Sequence, residues 1–270
     1  MKEKREDLVV YKNEFNTIPL RNFTAVEMDL LFTLMSQMRE RGTTDLKFGF
    51  EELKQLSKYN KENAIDSFVN DLEKTYDKLI QLNVKCGTSR KWTKFVFFTR
   101  YSVDKDEQTI DISVNSEFEH LINKLTGNFT KFELEEVTQL KSSYSKGMYR
   151  LLKQFRATGY AVFDIDNFRN LLDIPDSYKM GNIDQQILKP IEKELSKFFK
   201  HLKITKIKGI GKYKKNVVKI EFTFKKQDGI KDNGYRKFRD ENGNYYEKHL
   251  YDFEDNEINK TFPCKIIKKR

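Results

Sequence analysis

Apolar residues recur along the chain with two periods, and the switches between them divide it into short elements. Residues 8–15, from Leu8-Val9-Val10-Tyr11 to Phe15, suit a strand or extended arm. Thr24 followed three residues later by Glu27 is a capping box that opens a helix reaching about Arg41. Its apolar stripe is Met28, Leu31, Phe32, Met35 and Met38, and Gly42 stands where it closes. The pattern next predicts a strand over 46–50, a short helix over 51–58 and a long helix over 63–82. That long helix carries Ile65, Phe68, Val69, Leu72, Tyr76, Leu79 and Ile80 on one side. Strands follow at 94–103 and 109–114. Helix, strand, helix, helix, strand, strand is the order of a winged helix.

The second half repeats that order. A helix is predicted over 145–158, with Met148, Leu151, Leu152 and Phe155 inward. Phe163 and Ile165 make a short strand, and Asp166 is placed to cap a short helix through Leu172. A long helix spans 183–200, and strands at 202–209 and 216–225 flank the turn Gly209 to Asn216. The halves superpose at an offset of roughly 115–119 residues, setting Phe48, Phe50, Leu53 and Leu56 against Phe163, Ile165, Phe168 and Leu171. The fold class expected is α+β: two tandem winged-helix domains related by internal duplication. The boundaries expected are 1–125, 126–226 and a tail over 227–270.

Composition narrows the class. Of 270 residues 38% are hydrophobic and 34% charged, while 22 Phe and 13 Tyr supply large surfaces for a core. The two cysteines, Cys86 and Cys264, are far apart and without a neighbouring Cys or His, which excludes a disulfide scaffold or a cysteine zinc site. No run approaches the ~20 apolar residues of a membrane span, and no apolar signal core follows Met1 to Asp7. The expectation is a soluble protein of a reducing cytoplasm with no membrane partner, and the resemblance described below implies that this cytoplasm is bacterial.

The net charge of +10 is concentrated. Residues 201–231 hold ten lysines against Glu221 and Asp228, so this segment alone carries +8. It coincides with the predicted hairpin after the last long helix, where a wing projects. On a helical wheel, Ile183, Ile187, Leu188, Ile191, Leu195 and Phe198 form the core arc of that helix. The opposite arc holds Asn182, Gln185, Gln186, Lys189, Lys193, Ser196 and Lys197. Amides can pair with adenine edges, and lysines reach guanine or phosphate. A second helix of this kind presents its N-terminal part to the major groove. Lys179, Asn182, Gln185, Gln186, Lys189 and Lys193 are therefore candidate duplex-DNA contacts, with Lys206, Lys208, Lys212, Lys214 and Lys215 on the wing. Pro190 predicts a kink or a late helix start. The corresponding helix of the first unit, 61–82, has net charge −2, which disfavours groove insertion. The basic segment 85–100 after it offers Arg90 and Lys91 as backbone contacts, with Trp92 among them either packed or exposed.

The run Ser143-Tyr144-Ser145-Lys146-Gly147-Met148-Tyr149-Arg150-Leu151-Leu152-Lys153-Gln154-Phe155 resembles the helix that opens the C-terminal domain of iteron-binding plasmid replication initiators. So do Phe168-Arg169-Asn170-Leu171-Leu172-Asp173-Ile174-Pro175 with Tyr178-Lys179, Ile187-Leu188-Lys189-Pro190-Ile191-Glu192-Lys193-Glu194-Leu195 and Val218-Lys219-Ile220-Glu221-Phe222. The resemblance covers residues 8–226 and is most specific in the second half. It implies monomers that bind direct repeats in double-stranded origin DNA, open the adjacent AT-rich duplex and recruit a host initiator and replicative helicase. It also implies a homodimer in equilibrium with the monomer that represses its own gene, the first unit supplying the dimer surface. Gly147 departs from the family pattern, a helix-weakening choice of about 1 kcal/mol. The tail over 227–270 has mixed charge and no family counterpart.

Chemistry expected of the alternatives is missing. His120, His201 and His249 are isolated, so the paired histidines of a rolling-circle nickase are absent. Gly209-Ile210-Gly211-Lys212 lacks the spacing of a P-loop. Asp164-Ile165-Asp166 has a metal-site spacing but reads better as a strand edge before a helix cap. No enzymatic activity, cofactor or metal is expected. A winged-helix repressor without an initiation role is the competing reading. Replacing Lys214 by Ala should weaken binding to all duplex sequences and lower the salt slope of log K by about one, as salt titrations of binding would measure.

Overall fold

A computed structural model describes residues 8–41, 46–59, 65–81, 83–87, 90–115, 129–210, 216–227, 235–239 and 245–249. Strand β1 (Leu8–Lys12) and a 3-10 turn (Asn13–Thr17) precede α1 (Ala25–Arg41), so the expected eight-residue strand is shorter and curls at Asn13. The Thr24 N–H donates to Glu27 Oε2 at 2.6 Å and the Glu27 N–H to Thr24 Oγ1 at 3.3 Å, which is the reciprocal box expected. Gly42 lies outside the described residues. Next come β2 (Leu46–Gly49), α2 (Phe50–Leu56) and α3 (Ile65–Leu79). A hairpin of β3 (Asn83–Gly87) and β4 (Trp92–Val96) follows, then β5 (Phe98–Asp104) and β6 (Thr109–Val114). The strand expected over 94–103 breaks because Phe97 and Phe98 are both buried, which a period of two forbids. The ladder shifts register at Phe98/Arg100.

Strand β7 (Phe129–Glu133) and α4 (Leu134–Thr138), which periodicity did not mark, lead to α5 (Ser143–Gln154). Then come β8 (Tyr160–Asp164), α6 (Ile165–Leu171), α7 (Met180–Ile183), a π-helical stretch (Asp184–Leu188), α8 (Lys189–Leu195), β9 (Lys203–Lys208) and β10 (Val217–Thr223). The N-cap position of α6 is Asp164, two residues earlier than the expected cap at Asp166, so Ile165, expected in the strand, opens the helix and Asp166 falls inside its first turn. Within the tail, β11 (Tyr235–Arg239) and β12 (Tyr245–His249) pair antiparallel.

The two halves have the same topology. Antiparallel sheets of order β2–β6–β5 and β8–β10–β9 each place the short first strand beside the last. In each, three helical segments pack beside the sheet, and the fold is therefore two winged-helix units. They differ between the third helix and the next strand, where only the first unit inserts the β3–β4 hairpin.

The units share one core. Strand β1 pairs with β7, bridging residue 125, with Val9 opposite Phe132 and Tyr11 opposite Thr130. Edge-to-face rings continue from Tyr11 to Phe132 at 6.0 Å and from Phe132 to Tyr149 at 5.3 Å. Helix α1 is consequently buried all round rather than along one stripe, since β1, α3, α4 and α5 surround it. Helix α5 buries Lys146, Arg150 and Lys153 on the side facing the first unit and α4. Lys146 Nζ donates to Asp29 Oδ1 at 2.6 Å and to the Val137 carbonyl at 2.8 Å. Burial raises the Asp29 carboxyl to about 7 against the pull of Lys146, and lowers the Lys146 ammonium. Arg150 donates to the carbonyls of Phe15 at 3.1 Å and Ile18 at 2.7 Å. Lys153 pairs with Glu136 at 2.8 Å.

Two glycines permit this packing. A Cβ on Gly147 would lie 3.0 Å from a Leu172 methyl, so the residue that weakens α5 in isolation also seats α5 against the end of α6. Gly159 (φ +67°) turns the chain into β8, where a Cβ would meet the Phe224 carbonyl at 2.4 Å. Truncation of Arg150 to Ala should cost about 3–5 kcal/mol, by leaving buried carbonyls unpaired beside a cavity. The expected readout is a lower urea midpoint with an unchanged slope.

Candidate nucleic-acid interface

The long helix of the second unit starts from a loop that Arg169 of α6 holds in place. Its Nη2 donates to the Tyr178 carbonyl at 2.6 Å and its Nη1 to the Pro175 carbonyl at 3.4 Å. Asn182 Oδ1 accepts from the Lys179 N–H at 3.0 Å, satisfying a donor at the helix start. The helix begins at Met180 and ends at Leu195, so it is displaced toward the N-terminus from the expected 183–200. Pro190 has no N–H to give the Gln186 carbonyl. The backbone widens into the π-helical stretch just before it, where the Lys189 N–H bonds back to the Asp184 carbonyl. The expected kink is this widened turn.

Ile183, Ile187, Leu188, Ile191 and Leu195 are buried as expected, and the next core residue is Phe199, with Phe198 half-buried because the helix has already ended. Lys179, Asn182, Gln185, Gln186, Lys189 and Lys193 are all exposed. Gln185 Oε1 accepts from Lys189 Nζ at 2.7 Å, one turn on, leaving the Gln185 NH₂ as a donor.

Strand β9 carries Lys206 opposite the buried Ile220, and therefore on the sheet face that packs against the helices. Lys206 Nζ meets Asp184 Oδ2 at 2.7 Å, fastening the strand leading to the wing to the helix. Both side chains are partly exposed, so the pair adds at most about 1 kcal/mol and yields readily to a phosphate. Lys208 is exposed beyond it. The Gly209 N–H donates to the Asn216 carbonyl at 2.9 Å, closing the base of the turn. Lys212, Lys214 and Lys215 lie outside the described residues.

The structure thus gathers the helix candidates with Lys206 and Lys208 on one unit. Arg90 and Lys91 are exposed on the β3–β4 hairpin of the other. Trp92 is 52% exposed, so it does not pack in the core, and the basic segment 85–100 is strand over much of its length, beginning before the expected start at 94. Helix α3 is unsuited to phosphate: Asp66, Glu73 and Asp77 are exposed, while Lys78 turns away to Glu27 at 2.6 Å. Arg169 and Asp184 are the residues missed from sequence. Both act across folded distance, and no periodicity marks such contacts. Among the described residues no cluster of His, Cys, Asp and Glu is placed to hold a metal ion, and no helix is long and apolar enough to cross a membrane.

Comparison with known proteins gives a consistent pattern. The family profile described as "Initiator Replication protein, WH1" matches residues 8–153, and "Initiator Rep protein, WH2" matches 164–224. A "Probable replication protein rep" of Bifidobacterium longum (strain NCC 2705) is 37% identical over 190 residues, which are 70% of this chain and 64% of that relative. A crystal structure of the Pi initiator protein in complex with iteron DNA has a similar fold, with TM-score 0.63 and 16% identity over 83% of this chain and 99% of that one. Substituting Arg169 by Ala should speed amide hydrogen exchange across Lys179–Ile183 while leaving α5 protected, because only the helix start depends on that guanidinium.

Proposed function

We propose, since the chain belongs to the initiator replication protein family, that it binds direct repeats in double-stranded DNA at a plasmid origin and begins replication there. The observation that carries this reading is the exposed arc of amides and lysines joined through Asp184–Lys206 to the strand that leads into the wing. Gln185, Gln186 and Asn182 offer donors and acceptors to base edges, while Lys179, Lys189, Lys193, Lys206, Lys208, Lys212, Lys214 and Lys215 answer phosphates. The main reader is the second unit, residues 126–226. The first, residues 1–125, adds contacts through Arg90 and Lys91 and supplies a dimer surface.

On this reading a monomer occupies each repeat, promotes opening of the neighbouring duplex and draws in the host initiator and helicase, whereas a dimer represses the protein's own gene. The chemistry is binding and deformation of DNA, with no bond made or broken by the chain. A repressor with no initiation role is the second reading, favoured only by the same winged-helix surface.

DNase footprinting on DNA flanking the protein's own reading frame separates them. Evenly spaced protections at repeats in one direction support the initiator, and a lone palindromic footprint supports the repressor. Within such a site, Gln186→Ala or Lys189→Ala should cost about 1–3 kcal/mol and relax the base preference at the position contacted. Uniform loss across all sequences would remove the helix from base reading.

A further inference from the structure

The long helix of the second unit leaves one main-chain oxygen without a partner on its exposed side. In an α-helix the Gln185 carbonyl would accept from the Lys189 N–H, one turn on. That N–H goes instead to the Asp184 carbonyl, the bond that makes this stretch π-helical. A continuing π-helix would offer Gln185 the N–H of position 190, but Pro190 has none. Both internal routes are closed, and among the described residues no side chain donates to this oxygen. A main-chain acceptor in that state takes its hydrogen bond from water or from a ligand. Gln185 is itself exposed, as are Asn182, Gln186 and Lys189 around it. This arc is rich in donors and short of free acceptors. Asn182 Oδ1 already accepts from the Lys179 N–H at 3.0 Å, Gln185 Oε1 from Lys189 Nζ at 2.7 Å and Asp184 Oδ2 from Lys206 Nζ at 2.7 Å. The ammonium groups and the Gln185 NH₂ suit guanine O6 and N7, thymine O4 and phosphate. The amino groups of adenine and cytosine present donors in the major groove and require an acceptor.

We propose that the Gln185 main-chain carbonyl reads the amino group of one adenine or cytosine in the major groove, and that Pro190 is a specificity determinant because it keeps that carbonyl free. The contact is a single N–H···O=C bond with the base as donor. Its acceptor belongs to the backbone, so its position is set by the helix and not by a side-chain rotamer. A guanine or thymine edge at the same place presents an acceptor to an acceptor and is rejected. The proposal rests on the reading of this helix as the base reader and names the base group that one part of it selects. Pro190 thus acts on recognition without touching DNA.

Pro190→Ala closes the site whichever geometry the helix then takes. If the π-turn persists, the new amide at 190 bonds the Gln185 carbonyl, and if the turn reverts to α-helix, the Lys189 N–H does. The full chain is titrated onto the duplex protected in footprinting. It is also titrated onto copies in which each adenine in turn is replaced by purine, or each cytosine by 2-pyrimidinone, bases that lack the amino group. At one position the wild type should lose affinity roughly 2- to 10-fold, the worth of one hydrogen bond. Pro190→Ala should bind the unmodified duplex more weakly by a similar factor and be indifferent to the replacement at that position. Gln186→Ala should retain the sensitivity there, since its amide is not the acceptor. Loss of a helix-interior proline should leave the urea midpoint of Pro190→Ala no lower than that of the wild type. A wild type that binds its site but ignores every replacement overturns the assignment alone. So does a sensitivity that survives in Pro190→Ala or vanishes in Gln186→Ala. Binding with no preference for the protected duplex overturns the base-reading helix as well.

Discussion

Three cations turned into the protein set the terms for the rest of the fold. Lys146, Arg150 and Lys153 follow one another on α5 at steps of four and three, so they project from the same side of the helix. That side faces the first unit and α4 rather than solvent. An ammonium or guanidinium buried without partners is too costly to tolerate. Each therefore demands a specific acceptor: the Asp29 carboxylate, the carbonyls of Phe15 and Ile18, the carboxylate of Glu136. Apolar packing alone would let α5 slide along its neighbours. These contacts fix its depth and rotation, and Gly147 then lets α6 approach closely enough to complete the unit.

The presentation of the candidate DNA surface follows from that anchoring. Helix α6 lies against α5, Arg169 on α6 grips the loop at Pro175 and Tyr178, and the loop delivers Lys179 and Asn182 at the head of the long helix. The π-helical stretch before Pro190 shifts the angular positions of later residues, yet Ile187, Ile191 and Leu195 remain inward, so the exposed arc survives the irregularity. Asp184 lies on the stretch itself and reaches Lys206, which couples helix and strand at the point where the helix is least regular.

Much of this was legible in the residues. Periodicity located both units and the duplicated order of elements, because amphipathic helices and half-buried strands imprint their period on the sequence. The exposed arc of the long helix followed from the same rule. The failures have identifiable causes. Helix ends were misplaced at Leu195 and Gln154 because aromatic residues beyond each end continue the apolar pattern without continuing the helix. The β3–β4 hairpin was hidden by its lysines, which mask alternation, and by the adjacent buried pair Phe97 and Phe98. Strand β7 carries Lys131 buried at mid-strand, so it does not look like a core strand. The inward cations of α5 were visible only as members of a resemblance, since charge in a helix normally reads as a wet face.

The pairing of β1 with β7 also bears on the order in which the molecule is made. Leu8 to Lys12 leave the ribosome long before the strand that completes their ladder, Phe129–Glu133, and the guanidinium that ties down Phe15 and Ile18 comes later still, at Arg150. The nascent N-terminal unit therefore emerges with a bare strand edge and an unanchored turn, and stays so until the second unit's first helix has followed. Synthesis closes this fold back onto its N-terminal strand: a chain arrested before Phe129 exposes a sticky edge, and one arrested before Arg150 still lacks the anchor of its turn.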